Sequence, residues 1–173
     1  MTSTPLVRVS IAACLAAALT QTAPSAQNRP PLAIDTARVT VSGTSNIHEY
    51  TASTAALRVV RVKVAPSVSP AAFWDDVVKP GALEAFEIAI PAATLTSGKD
   101  GLDKNMWKAL RVKEYPDIAF RLTRLEPGPA GPLNAIGVLR IAGVEREVAL
   151  LLKTERRDAS LAFSAQTRAR TTL

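Results

Sequence analysis

The chain has 173 residues, 47% of them hydrophobic but only 5% aromatic, with a single cysteine. That length suits one domain whose core is built from small and β-branched side chains, and one cysteine excludes a disulfide scaffold. The 21 basic residues against 15 acidic ones give a formal charge of +6, a balance that admits nucleic acid, anionic lipid or an acidic ligand without choosing among them.

The N-terminus reads as an export leader. Residues 1–8 are polar and end in one cation, Arg8. Residues 9–19 form an apolar run about as long as a signal-peptide core and far short of a membrane span, and a polar, Pro-containing stretch begins at Thr20. This predicts a signal peptide over residues 1–26, cleavage between Ala23 and Gln27, and a periplasmic or secreted product. Ile11-Ala12-Ala13-Cys14 has the look of a lipoprotein box. Only Val9 and Ser10 separate it from Arg8, so Cys14 is read as an apolar leader residue rather than a lipid anchor. The domain predicted over residues 32–170 then has no thiolate nucleophile and no thiolate metal site. No second apolar stretch is long enough to span a bilayer.

Past residue 31 the pattern is that of strands. Residues 32–45 carry Ile34, Val39 and Val41; residues 50–65 read as one long strand whose alternation breaks at Val59-Val60, the mark of a bulge. Residues 66–81, with three prolines and the pair Phe73-Trp74, are a connection or a short helix. In residues 83–90, Phe86, Ile88 and Ile90 fall on a covered face and Ala85, Glu87 and Ala89 on a wet one. The period then changes. Leu102, Met106, Ala109 and Leu110 recur at helical spacing, Asp100 or Asp103 can cap the start, and Tyr115-Pro116 stops the segment. Strands resume with Ile118, Phe120 and Leu122 on one face, then residues 133–141 and 147–154 around the turn Ala142-Gly143-Val144, and finally residues 159–170. Short turns imply antiparallel neighbours. Six or seven strands and one short helix predict an all-β barrel or sandwich, since a sheet with one apolar face must close over it.

Catalytic chemistry is nearly absent. The only histidine, His48, lies three residues after Ser45 in a turn, a spacing that arises by chance. Asp75-Asp76 and Asp100-x-x-Asp103 are explained by capping or solvation rather than by metal ligation. Ser97-Gly98-Lys99-Asp100-Gly101 lacks the strand and the Lys-Ser/Thr pair of a phosphate loop. Arginines dispersed among strands with few aromatics argue against nucleic acid. No catalytic residue, metal or cofactor is assigned.

Two stretches carry a family resemblance. Leu95-x-x-Gly98, Leu102-x-Lys104-Asn105-Met106-Trp107-Lys108-Ala109-Leu110 and Tyr115-Pro116-Asp117-Ile118-Ala119-Phe120 follow one another as turn, helix and strand. Gly137-x-Leu139-x-Ile141-x-Gly143-Val144-x-x-x-Val148 follows as a hairpin, and Ile34-Asp35 heads the first strand. Over roughly residues 32–168 the chain resembles the YceI-like, polyisoprenoid-binding family. Arg38 stands where many members carry a histidine, three positions after the first-strand Asp. A final Asp-Phe-Gly-like turn and closing strand do not follow Arg170. From this either a barrel missing its last strand or a truncated sequence is expected, with an unpaired edge that leaves the chain dimeric through that edge or marginally stable as a monomer.

The resemblance implies a lipocalin-like antiparallel β-barrel with an apolar interior for an isoprenoid or similar amphiphilic lipid. The side chains expected to line it are Phe86, Ile88, Ile90, Met106, Trp107, Leu110, Phe120 and Leu122, each of which also suits a filled core. The leading expectation is a non-catalytic exported lipid-binding protein. The alternative is an interaction module with a solid barrel and a basic surface that meets a partner or an anionic membrane. A hydrolase using His48 ranks last.

Overall fold

In a computed structural model, residues 6–16, 32–44, 49–128, 132–157 and 160–170 are described. Their strands form one antiparallel sheet of nine: β1 (Leu6–Ala16), β2 (Ala33–Thr44), β3 (Glu49–Thr54), β4 (Arg58–Val64), β5 (Leu83–Pro91), β6 (Asp117–Pro127), β7 (Leu133–Ile141), β8 (Val144–Arg157) and β9 (Ser160–Arg170). The order across the sheet is β3-β2-β1-β9-β8-β7-β6-β5-β4. It curls so that Val39 and Ala52 of β2 and β3 share one core with Ile88, Ile90, Phe120, Leu139 and Leu150. β3 and β4 remain edges with no ladder between them, so the barrel is curled but not closed.

The long strand expected over residues 50–65 is two strands. Thr54 Oγ1 accepts the Ala56 N–H (3.0 Å), a local turn that competes with the ladder and lets the chain part at residues 55–57. The bulge at Val59-Val60 is present as a register shift between Val59 and Arg61, with Val60 turned out to solvent. Ala89, expected on the wet face, is buried, with Arg58 and Ala119 opposite it on the two neighbouring strands.

Two α-helices accompany the sheet among the described residues. The expected one is α2 (Asp100–Ala109), and a four-residue α1 (Phe73–Asp76) occupies the stretch left open as loop or helix. Neither Asp100 nor Asp103 caps α2, whose N-cap is Lys99 without a side-chain bond. Asp103 is instead buried, and its Oδ1 accepts both the Ser97 N–H (2.8 Å) and the Ser97 hydroxyl (2.6 Å), which fastens the turn before the helix. Trp107 Nε1–H donates to the carbonyl of Leu95 (3.0 Å), a fully buried residue, and Gly98 supplies the positive φ (+79°) the turn requires.

The two family-like stretches meet. Ala142 and Gly143, at φ 50° and 81°, form the two-residue turn between β7 and β8. A Cβ on Gly143 would lie 2.5 Å from Cζ of the Tyr115 ring, so this glycine admits the aromatic ring that ends the α2 segment. Gly137 does the same for Phe120, whose Cζ lies 2.6 Å from where its Cβ would sit.

Part of the predicted leader is built into the sheet. β1 pairs with β2 on one side and β9 on the other, so β9 is not the unpaired edge expected from the sequence. The leader's cleavage region, residues 17–31, and His48 with Ser45 lie outside the described residues. No helix among the described residues is long and apolar enough to cross a membrane.

Candidate functional site

The concave face of the sheet is lined by alternating positions of five adjacent strands, as the two-residue period of a strand dictates. β5 contributes Phe86 and Ile88, β7 Leu133 and Ala135, β8 Leu150, Leu152 and Thr154, and β9 Leu161, Phe163 and Ala165. In β6, Leu122 and Leu125 both face inward although three residues apart, because a register shift between Leu122 and Arg124 inserts an extra residue. Trp74, Val77 and Val78 from and after α1, with Leu83 and Leu32, cover the end of this surface. The space is ≈ 90 Å³, and among the described residues Thr154 is the only polar one in its lining.

α1 is held over the cavity by its own bonds. Trp74 is buried and meets Phe73 edge to face, centroids 5.1 Å apart. Asp76 accepts the Ser69 N–H (3.1 Å) and pairs with Lys79 (2.7 Å). The Lys79 hydrogen bond, reinforced by the Ser69 N–H, holds the Asp76 carboxyl below its ordinary pKa. Arg156 at the end of β8 reaches Asp75 (2.6 Å), an exposed pair that ties the helix to the sheet.

The eight side chains expected to line one interior divide between its two ends. Phe86, Ile88 and Leu122 line the cavity. Ile90 and Phe120 are buried in the main core, and Met106 and Leu110 pack against that core beneath α2. Trp107 spends its N–H on Leu95. The direction of the strands explains the division. β5 runs from Leu83 at the α1 end to Pro91, which pairs with Asp117 at the start of β6, so late β5 and early β6 fall beyond the cavity. Sequence reading missed Trp74, Leu150, Leu152, Leu161 and Phe163. The strand alternation in β8 and β9 carried a signal for the last four; nothing in the Pro-rich stretch placed Trp74 indoors.

A wider polar cleft of ≈ 570 Å³ takes its charged wall from the positions of β8 and β9 that alternate with the cavity lining, and so lies on the other face of these strands. Its wall includes Arg38 from β2, Lys153, Glu155 and Arg157 from β8, and Ser164 from β9. Among the described residues no group of three or more His, Cys, Asp or Glu is arranged to hold a metal ion.

No curated protein matches the chain. Among solved structures, BcnA of Burkholderia cenocepacia aligns over 94% of this chain and 96% of its own at 12% identity and a TM-score of 0.49. A YceI protein of Campylobacter jejuni aligns over 90% and 95%, also at 12% identity, with a TM-score of 0.44. Residues 32–173 match the family described as the YceI-like domain. The chain belongs to the YceI-like family, generally one of binding proteins rather than enzymes.

Proposed function

We propose that this protein is exported and carries an isoprenoid or similar amphiphile, its apolar tail held between α1 and the concave face of β5 to β9, without catalysis. The observation that carries this reading is a lining in which, among the described residues, only Thr154 is polar. An apolar interior with a few polar groups at its margin is the usual form of a small-molecule site. Family membership supports the same reading. The signal-peptide pattern of residues 1–26 supports export.

A second reading rests on the volume. The ≈ 90 Å³ of this cavity is small beside the ~300–1,000 Å³ of ligand sites, which favours an interaction module with a filled interior unless the cavity widens. Mass spectrometry of an organic extract of the protein from its native host separates the two. A co-purifying isoprenoid or acyl chain supports the carrier, and Ala135→Leu, which fills the cavity wall, should then cut its recovery at least fivefold without lowering the melting temperature. An extract free of lipid, with probe binding absent in vitro, leaves the filled module.

A further inference from the structure

One strand carries the cavity lining out to a charge. In β8 the side chains of Leu150, Leu152 and Thr154 line the cavity, and the two-residue period of a strand brings Arg156 next on that face. Arg156 is paired in register with Leu161 of β9, itself a lining residue, as Thr154 is with Phe163. The ladder between β7 and β8 begins at Leu133 opposite Leu152. Thr154 and Arg156 therefore stand past the end of β7, on a part of β8 flanked among the described strands by β9 alone. From Leu150 to Arg156 the same face passes from a buried leucine through a hydroxyl to an exposed cation at the margin of the cavity.

We infer that the amphiphile held in this cavity carries an anionic head, a phosphate or a carboxylate, and that Arg156 receives it with the Thr154 hydroxyl as a second donor. The Asp75 carboxylate of α1, which meets one guanidinium nitrogen of Arg156 at 2.6 Å, stands where that head would bind and gives way to it. This rests on the lipid-carrier reading above and adds the charge of the ligand and the residue that selects it.

Chemistry and geometry favour Arg156 over Asp75 as the recognising charge. A guanidinium offers five N–H donors in a planar fork that suits two oxygens of a phosphate or carboxylate. Asp75 engages one of its nitrogens, and the Thr154 hydroxyl is spent on no described residue. Thr154 and Arg156 lie about 6.8 Å apart along the strand, close enough for both to reach one head group. Arg156 is fixed in a ladder. Around α1, by contrast, the backbone bonds among the described residues stay within residues 65–82, as from Ala65 N–H to Ala82 and from Val77 N–H to Phe73, so when the two charges part it is the Asp75 side that can yield. Both partners of the pair are more than half exposed, and such pairs contribute little to stability, so exchanging one anion for another costs little. The neighbouring Asp76 is matched by Lys79 at 2.7 Å, which limits its repulsion of the head. A neutral head gains far less from Arg156, and a cationic head is repelled by it.

The test compares three ligands that share one tail: geranylgeraniol, geranylgeranoic acid and geranylgeranyl phosphate. Protein is produced from the full chain with its own N-terminus, and binding is measured by isothermal titration calorimetry below the micelle concentration of each lipid. The phosphate, the acid or both should bind about tenfold or more tightly than the alcohol, as hydrogen bonds to a charged group warrant, and the arm that does so names the head. Arg156→Gln should abolish that preference, leaving the affinity for the alcohol within about twofold and the melting temperature unchanged, since the pair it breaks is exposed. Arg156→Lys should restore part of the preference. Asp75→Asn removes the competing carboxylate and should raise the affinity for the anionic ligand about threefold while moving that for the alcohol less. Equal binding of alcohol and anions by the native chain, or a preference that survives Arg156→Gln, would overturn the anionic-head site and leave the carrier standing. A tail bound with none of the three heads would overturn the carrier and this inference together.

Discussion

Phe120→Ala tests the packing on which the site is built. Phe120 is 4% exposed, pairs with Ile88 and Leu139 across its two ladders, and lies against the backbone of Gly137. A buried aromatic side chain removes about 150–250 Å² from water, which at about 25 cal/mol per Å² is ~4–6 kcal/mol, and alanine keeps only a small part of it. The neighbours that would have to fill the hole sit in paired strands and cannot close in fully, so a loss of about 3–5 kcal/mol is expected. For a chain of this length that is a fall of roughly 6–20 °C in Tm. Equilibrium urea unfolding measures it, and a loss below about 1 kcal/mol would refute the burial argument. A second substitution sharpens the test. Gly137→Ala drives a methyl into both the Phe120 ring and the carbonyl of Arg121. In the Phe120→Ala background the ring clash disappears while the backbone clash remains, so its cost should fall without vanishing. Full additivity of the two changes would mean the ring does not rest on Gly137.

Gly143→Ala should destabilise by about 1–3 kcal/mol from its positive φ alone, and by more through Tyr115; thermal melts in wild-type and Tyr115→Ala backgrounds separate the two parts. Asp103→Ala leaves the N–H and hydroxyl of Ser97 without their acceptor and should cost about 1–3 kcal/mol by urea unfolding, whereas Asp103→Asn keeps an acceptor and should cost less. Because the folded state lowers the Asp76 pKa from 3.8 through Lys79 and Ser69, this group stabilises fully above its unfolded value and loses that contribution as pH falls through the lowered one. Lys79, raised from 10.5 by Asp76, holds its contribution below that value and loses it as pH rises through the folded one. Carboxyl NMR titration should place Asp76 below 3.8, and salt should move it back, since the pair is exposed.

Much of the strand pattern was legible because each strand has an apolar face with a two-residue period. The places where that reading slipped have local causes. Thr54 ends β3 by taking the Ala56 N–H for itself, a bond of three atoms in one turn that hydropathy does not register. The extra residue after Leu122 keeps Leu125 inside and breaks the count that would have identified it. Asp103 looked like a helix cap because carboxylates near a helix start usually are; its actual partner, Ser97, lies in the preceding turn.

The residues that announce the family are not the ones that surround the cavity. Leu95 and Gly98 shape the turn before α2, Trp107 locks onto that turn, Tyr115 rests on Gly143, and Phe120 rests on Gly137. Each of these contacts fixes the α2 end of the fold, and apart from the strands they position, none reaches the lining under α1. The cavity wall comes instead from Leu32, Trp74, Leu150, Leu152, Leu161 and Phe163, positions outside both family-like stretches. A side chain there can change size without loosening the turn and ring contacts that specify the fold. One end of the sheet therefore specifies the architecture, and the other is free to specify what the architecture holds. Substitutions at the half-buried Leu152 or Phe163 should accordingly alter which amphiphile is retained before they alter whether the chain folds, and substitutions at Trp107 or Gly143 should do the reverse.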